Sequence, residues 1–116
     1  MNEKIIERID AVFLPVKSLQ ESLEWYQSVF NFDLRWKNER MAGLEIAANC
    51  GFHIVEIPDH QPSDKYTPFN FVVKDVEAVR QKLQEKNVIV SEWRRGQPKR
   101  FDVTDINGNL ISIIQL

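Results

Sequence analysis

The residue of this chain best suited by type and place to do chemistry is Glu56. Residues 52–57 read Phe-His-Ile-Val-Glu-Ile, a short run of β-formers. On a strand, Phe52, Ile54 and Glu56 share one face, and His53, Val55 and Ile57 share the other. A carboxylate on an apolar face anchors a cationic or hydrogen-bonding ligand, or serves as a general base. Its everyday alternative is a half-solvated sheet residue satisfied by an arginine. His53 lies three residues from Glu56 and so points the other way, and His60 follows in a proline-rich stretch. The three cannot converge on a metal without a sharp bend. The single cysteine, Cys50, allows no intrachain disulfide and has no neighbouring cation to activate it.

Asn70 and Ser112 are polar residues inside β-like runs, readable as ligand contacts or as satisfied interior groups. Phe13 and Phe52 read as apolar walls of a small-molecule pocket or as core. Residues 94–100, Arg-Arg-Gly-Gln-Pro-Lys-Arg, form a basic run broken by glycine and proline. That composition reads as an exposed hairpin loop, since no aromatic platform interleaves it for nucleic acid. There is no glycine-rich phosphate loop, no nucleophile elbow and no Cys/His metal spacing.

The elements that must position these residues follow from periodicity and punctuation. Residues 9–16 read as a strand with two apolar faces, so cover on both sides is expected, and Pro15 marks an edge or an end. Ser18 with Glu21 forms a capping box, and Leu19, Leu23, Tyr26 and Phe30 then make a helical stripe closed by Asn31. Strands are expected near 32–38, 41–48 and 52–57. The segment 58–68 holds three of the five prolines and reads as a linker. The pattern then restarts, with a strand over 69–73, Asp75 as helix cap, a stripe at Val76, Val79 and Leu83, and Asn87 as closer. Strands near 88–94, 100–104 and 110–115 follow. Asn107-Gly108 between the last two signals a tight hairpin with both turn residues at positive φ.

The two halves are one pattern used twice. Val16-Lys17-Ser18-Leu19 matches Val73-Lys74-Asp75-Val76 at an offset of 57, while the closers Asn31 and Asn87 differ by 56. A unit this small cannot bury both faces of its sheet alone, so the halves are expected to pack together. The reading is a single α+β domain of two βαβββ modules. Module one spans 1–58, the linker 59–67 and module two 68–116. Paired curved mixed sheets surround a cleft, with the helices outside.

Val16-Lys17-Ser18-Leu19 leading to Trp25-Tyr26 and Phe30-Asn31-Phe32, together with Asp105-Ile106-Asn107-Gly108-Asn109, resembles the vicinal oxygen chelate superfamily. That family includes glyoxalases, extradiol dioxygenases and bleomycin-resistance proteins. Ile106 and Asn107 depart from its usual "DPDGN" turn. The resemblance implies four metal-ligand positions, which fall here on Ala11, Glu56, Pro68 and Ser112. Only Glu56 is a good donor, so the resemblance points to the metal-free branch, without a cofactor.

The resulting expectation is a small-molecule-binding protein, in the manner of proteins that sequester an antibiotic or metabolite. Phe13, Phe52, Glu56, Asn70 and Ser112 are its ligand-binding candidates. One alternative is a lyase, isomerase or dioxygenase-like enzyme using Glu56 as base or an offset metal. The other is a dimeric interaction module with no ligand. The resemblance implies a homodimer in each case. The net charge of −2 gives no footprint for nucleic acid or an anionic membrane. Residues 1–8 interrupt their apolar side chains with charges of both signs, unlike a signal peptide, so a cytoplasmic location is expected.

Overall fold

Both helices begin where the sequence places their caps. In this computed structural model, which describes residues 3–116, the first two residues of the charged N-terminal stretch lie outside the described part. Ser18 heads α1 (Leu19–Phe30), its hydroxyl accepting from the Glu21 amide at 3.3 Å. Asp75 heads α2 (Val76–Glu85), accepting from the Ala78 amide at 3.1 Å. Asn31 and Asn87 follow the helices at φ 60° and 62°, the left-handed conformation that asparagine tolerates. The first amide of each helix is also satisfied from a distant strand end. Glu56 Oε1 accepts from Leu19 N and Gln115 Oε1 from Val76 N, each at 2.9 Å.

The strands are β1 (Ala11–Val16), β2 (Asp33–Lys37), β3 (Met41–Ala47), β4 (Cys50–Glu56), β5 (Asn70–Val72), β6 (Ile89–Val90), β7 (Lys99–Thr104) and β8 (Leu110–Gln115). They form two four-stranded mixed sheets, ordered β1-β4-β3-β2 and β5-β8-β7-β6. In each sheet the first strand runs parallel to the last, and the other neighbours are antiparallel. Neither sheet closes on itself, and Pro15 lies on an edge strand as expected. The strand expected over 88–94 is shorter: β6 sets only Ile89 and Val90 in register with β7, with isolated amide bonds from Ser91 to Asp102 O and from Arg94 to Arg100 O beyond it. Beyond them the chain enters the loop that Gly96, at φ 85°, and Pro98 force into a turn.

Each helix covers one face of its own sheet. Leu19, Leu23 and Tyr26 of α1 bury Leu14, Val16, Leu44, Phe52 and Ile54, and Val76 and Leu83 of α2 bury Phe101, Val103 and Ile113. Each such buried side chain contributes about 1.5–3 kcal/mol relative to exposure. The expectation that β1 is covered on both faces is corrected. Leu14 and Val16 are buried, whereas Phe13 is 58% exposed on the side without a helix.

The modules are joined in two ways. Trp25 and Phe30 of α1 pack against both clusters, and Phe30, Phe32, Phe52, Phe69 and Phe71 form a ring-to-ring chain with centroids 5.2–5.9 Å apart. The second join is polar. Asp105, buried at the β7–β8 turn, accepts from the amides of Asn107 and Asn109 through Oδ1 at 2.8 Å. Its Oδ2 accepts from the Tyr26 hydroxyl at 2.6 Å and from Asn109 Nδ2 at 3.0 Å. Asn107 Oδ1 accepts from Lys17 N at 2.8 Å, and Asn109 Nδ2 also donates to Pro15 O at 2.9 Å. Only Gly108 of the turn has positive φ, at 90°, so the expected two-residue geometry is replaced by one in which Asp105 organises the loop.

Burial, reinforced by the charge and hydrogen bond of Asp105, pushes the Tyr26 phenol well above its ordinary value. The folded chain keeps that proton where the unfolded chain loses it. This contribution to stability is complete below about pH 10 and is lost as pH rises further. Tyr26→Phe should cost about 1.5–3 kcal/mol at neutral pH and flatten the alkaline decline. Urea denaturation between pH 7 and 11 checks both outcomes.

Candidate functional site

A crevice of about 550 Å³ opens between the two modules. The end of α1 supplies Val29 and Phe30, β4 supplies Phe52, β5 supplies Phe71, and α2 supplies Val79 and Leu83. The walls are therefore apolar, with Asn31, Asn70, Cys50 and Lys82 as polar members. It is the setting in which small organic molecules are usually held, an apolar concavity with a few polar groups. The chain folds this way because Phe30-x-Phe32 and Phe69-x-Phe71 bracket the ends of α1 and the start of module two. Their rings meet across the junction and leave space beside it. That i, i+2 aromatic spacing is the sequence signal for the crevice.

The five expected ligand residues do not come together. Phe52 and Asn70 line the crevice. Ser112 lines a separate polar hollow on the second sheet, and Glu56 a shallow one beside Leu19, Gln20 and Lys37. Phe13 stands on the open face of the first sheet, its ring edge-on to His53 at 4.8 Å. The face expected to line a cleft through Phe52, Ile54 and Glu56 is the face beneath α1. Phe52 and Ile54 are fully buried there, and one oxygen of Glu56 is engaged by the first amide of α1. Parity explains the shift. β1 pairs Val16 with Glu56, so Glu56 follows the core-facing residues Leu14 and Val16.

The same registers set how the strands of the two modules correspond. Phe13 pairs with His53 and Asn70 pairs with Ser112, and 13 and 70 are related by the offset of 57. The counterpart of Ser112 is therefore His53, and the counterpart of Glu56 is Gln115, which caps α2 as Glu56 caps α1. The four positions read as ligand sites thus supply one carboxylate, and it faces the helix. Among the described residues no group of three or more His, Cys, Asp or Glu side chains is placed to hold a metal ion. The donors present do not fit the metal centre that the resemblance implies.

The open face of the first sheet carries its own cluster. Trp36 lies across β3, with its ring 5.1 Å from His53. A Cβ at Gly43 would sit 2.3 Å from Trp36 Nε1, so any side chain there would displace the indole. Nδ1 of His53 is buried within this cluster without a hydrogen-bond partner. Trp93 has a different role, edge-on to Phe101 at 5.6 Å with Arg80 over its ring at 5.3 Å. Among the described residues no helix is long and apolar enough to cross a membrane.

Comparison with known proteins agrees with this architecture. TnmS3, an antibiotic binding protein from Streptomyces sp. CB03234, superposes with a TM-score of 0.82 at 20% identity, over 97% of this chain and 98% of that one. The fosfomycin resistance protein FosX from Listeria monocytogenes gives 0.80 at 16% identity, over 97% and 95%. A glyoxalase family protein from Enterococcus faecalis gives 0.79 at 16% identity, over 96% and 99%. At these identities the likeness is one of fold. Residues 8–113 match the Glyoxalase/Bleomycin resistance protein/Dioxygenase superfamily, and with nearly the whole chain matched, the chain belongs to that family.

Proposed function

We propose that this chain binds a small, largely apolar organic molecule in the crevice between its modules and holds it without a metal. The observation that carries the reading is the crevice itself, walled by both modules and lined by phenylalanine, valine and leucine. An apolar body of matching size would release water from these walls, while Asn31 and Asn70 could orient a polar group. That relatives of the same fold include an antibiotic binding protein and a fosfomycin resistance protein supports a small-molecule ligand. Binding without turnover, as in sequestration, suits this largely apolar lining. A cytoplasmic setting accords with a single exposed free cysteine.

A homodimer is the second part of the proposal. Phe13 and Trp36, 58% and 39% exposed, stand together on a sheet face that no helix of this chain covers. A second copy seated there would bury both rings. Glu56 has a structural place in this account as the cap of α1.

Four outcomes test the proposal. N-phenyl-1-naphthylamine should bind with one-to-one stoichiometry and slow alkylation of Cys50, which lies on the crevice wall. Val79→Trp should fill the space and weaken that binding about tenfold or more; unchanged affinity would remove the crevice as the site. Glu56→Ala should lower stability by about 0.5–2 kcal/mol through the lost cap and leave probe affinity unaltered, as fluorescence titration and thermal melts would show. Phe13→Asp should turn a dimer into a monomer in light scattering, and a wild-type monomer at micromolar concentration would contradict the dimer.

A further inference from the structure

The crevice between the modules holds a single charge. Among the described residues that line it, Lys82 is the one cation, and no aspartate or glutamate balances it. Lys82 reaches this wall because Val79, Lys82 and Leu83 of α2 follow the i, i+3, i+4 spacing of one helical face. Leu83 is buried and Val79 half-buried, whereas Lys82 is exposed. Its methylene stem therefore covers apolar wall while its ammonium stays in water at the mouth, as long basic side chains do on apolar surfaces.

The next basic residue on that face has a different fate. Lys86 caps α2, and its Nζ donates to Ser28 O and Val29 O at 3.0 and 2.8 Å. These are among the last carbonyls of α1, which have no partner within their own helix, and a cation there also meets the negative end of the helix dipole. The contact straps the last turns of the two helices side by side, and Val29 is itself part of the crevice wall. Lys86 is thus used by the fold. Lys82, one turn earlier, makes no hydrogen bond and no ion pair among the described residues, whose ion pairs are Arg8–Asp10, Arg94–Asp102 and Lys99–Glu77. Glu85, the acid three positions on, is turned instead to Gln81, accepting from its Nε2 at 3.4 Å.

We infer that the crevice selects an apolar carboxylic acid, its chain lying against Val29, Phe30, Val79 and Leu83 and its carboxylate meeting Lys82 at the mouth. An uncompensated cation at the rim of an apolar space of about 550 Å³ is complementary to an apolar body ending in one negative group. One ammonium balances one carboxylate; a phosphate dianion would bring a second charge without a partner. The inference rests on the proposed crevice and adds the charge of its ligand and the end at which that charge sits.

Displacement of bound N-phenyl-1-naphthylamine by octanoate and by 1-octanol, at neutral pH and low ionic strength, tests the inference. The two ligands share an apolar chain and differ in charge. Octanoate should bind about fivefold more tightly than 1-octanol, and the margin should shrink with added salt. Apolar burial alone gives the reverse order, because a carboxylate costs more to desolvate than a hydroxyl. Lys82→Met should bring octanoate level with 1-octanol or below it, and Lys82→Arg should keep the margin. Lys74→Met removes an exposed lysine outside the crevice and should also keep it. If 1-octanol displaces the probe from the wild type as well as octanoate does, the inference is overturned while the crevice stands as a ligand site. An octanoate margin that survives Lys82→Met, or that Lys74→Met removes equally, overturns it in the same way. Absence of saturable probe binding would overturn the crevice reading and this inference together.

Discussion

One buried carboxylate holds the molecule in its working shape. Asp105 lies in the β7–β8 turn of module two, yet the Tyr26 hydroxyl that donates to it comes from α1 of module one. Its other partners are the amides of its own loop, so the same group folds the turn and docks it. Asn107 and Asn109 carry the junction on to Lys17 and Pro15 at the end of β1. A carboxylate inside a protein is tolerated only when its lone pairs are filled, and here they are. Without this join, α1 would be held over module two by the aromatic packing of Trp25 and Phe30 and by the Lys86 strap alone.

The open sheets follow from the same economy. Each module has one helix and one four-stranded sheet, so each sheet has one covered face. The covered faces carry Leu14, Phe52, Phe101 and Ile113. The uncovered faces divide in character. The first presents Phe13, Trp36 and His53, and the second presents Arg100, Asp102 and Ser112.

Much of the fold could be read from the sequence, because its signals are local. Ser18 and Asp75 as caps, Asn31 as closer, the helical stripe through Tyr26 and the repeat offset of 57 each rest on neighbouring residues alone. The site was harder to read for a geometric reason. Strand faces alternate with every residue, so assigning Glu56 to a face requires its register against β1, which no local pattern sets. Once Val16 is seen opposite Glu56, the carboxylate turns to the helix and becomes a cap. Gln115 repeats that cap in module two, a symmetry hidden in sequence because Glu and Gln differ in charge while sharing the accepting oxygen. By sequence alone Asp105 is a turn residue, and its reach to Tyr26 spans 79 positions. By sequence alone Arg100 belongs to an exposed basic loop, and only the alternation along β7 places it on the face of Ser112.

The claim on which the rest leans is that the space between the modules is a ligand site. Methyl-resolved NMR during titration with naphthalene addresses it most directly. Val29, Val79, Leu83 and Ile113, which line the crevice, should shift together and saturate, while Leu14 and Val103, buried elsewhere in the two cores, stay in place. Shifts that never saturate, or that centre on the uncovered sheet faces and leave Val79 and Leu83 unmoved, would contradict the account.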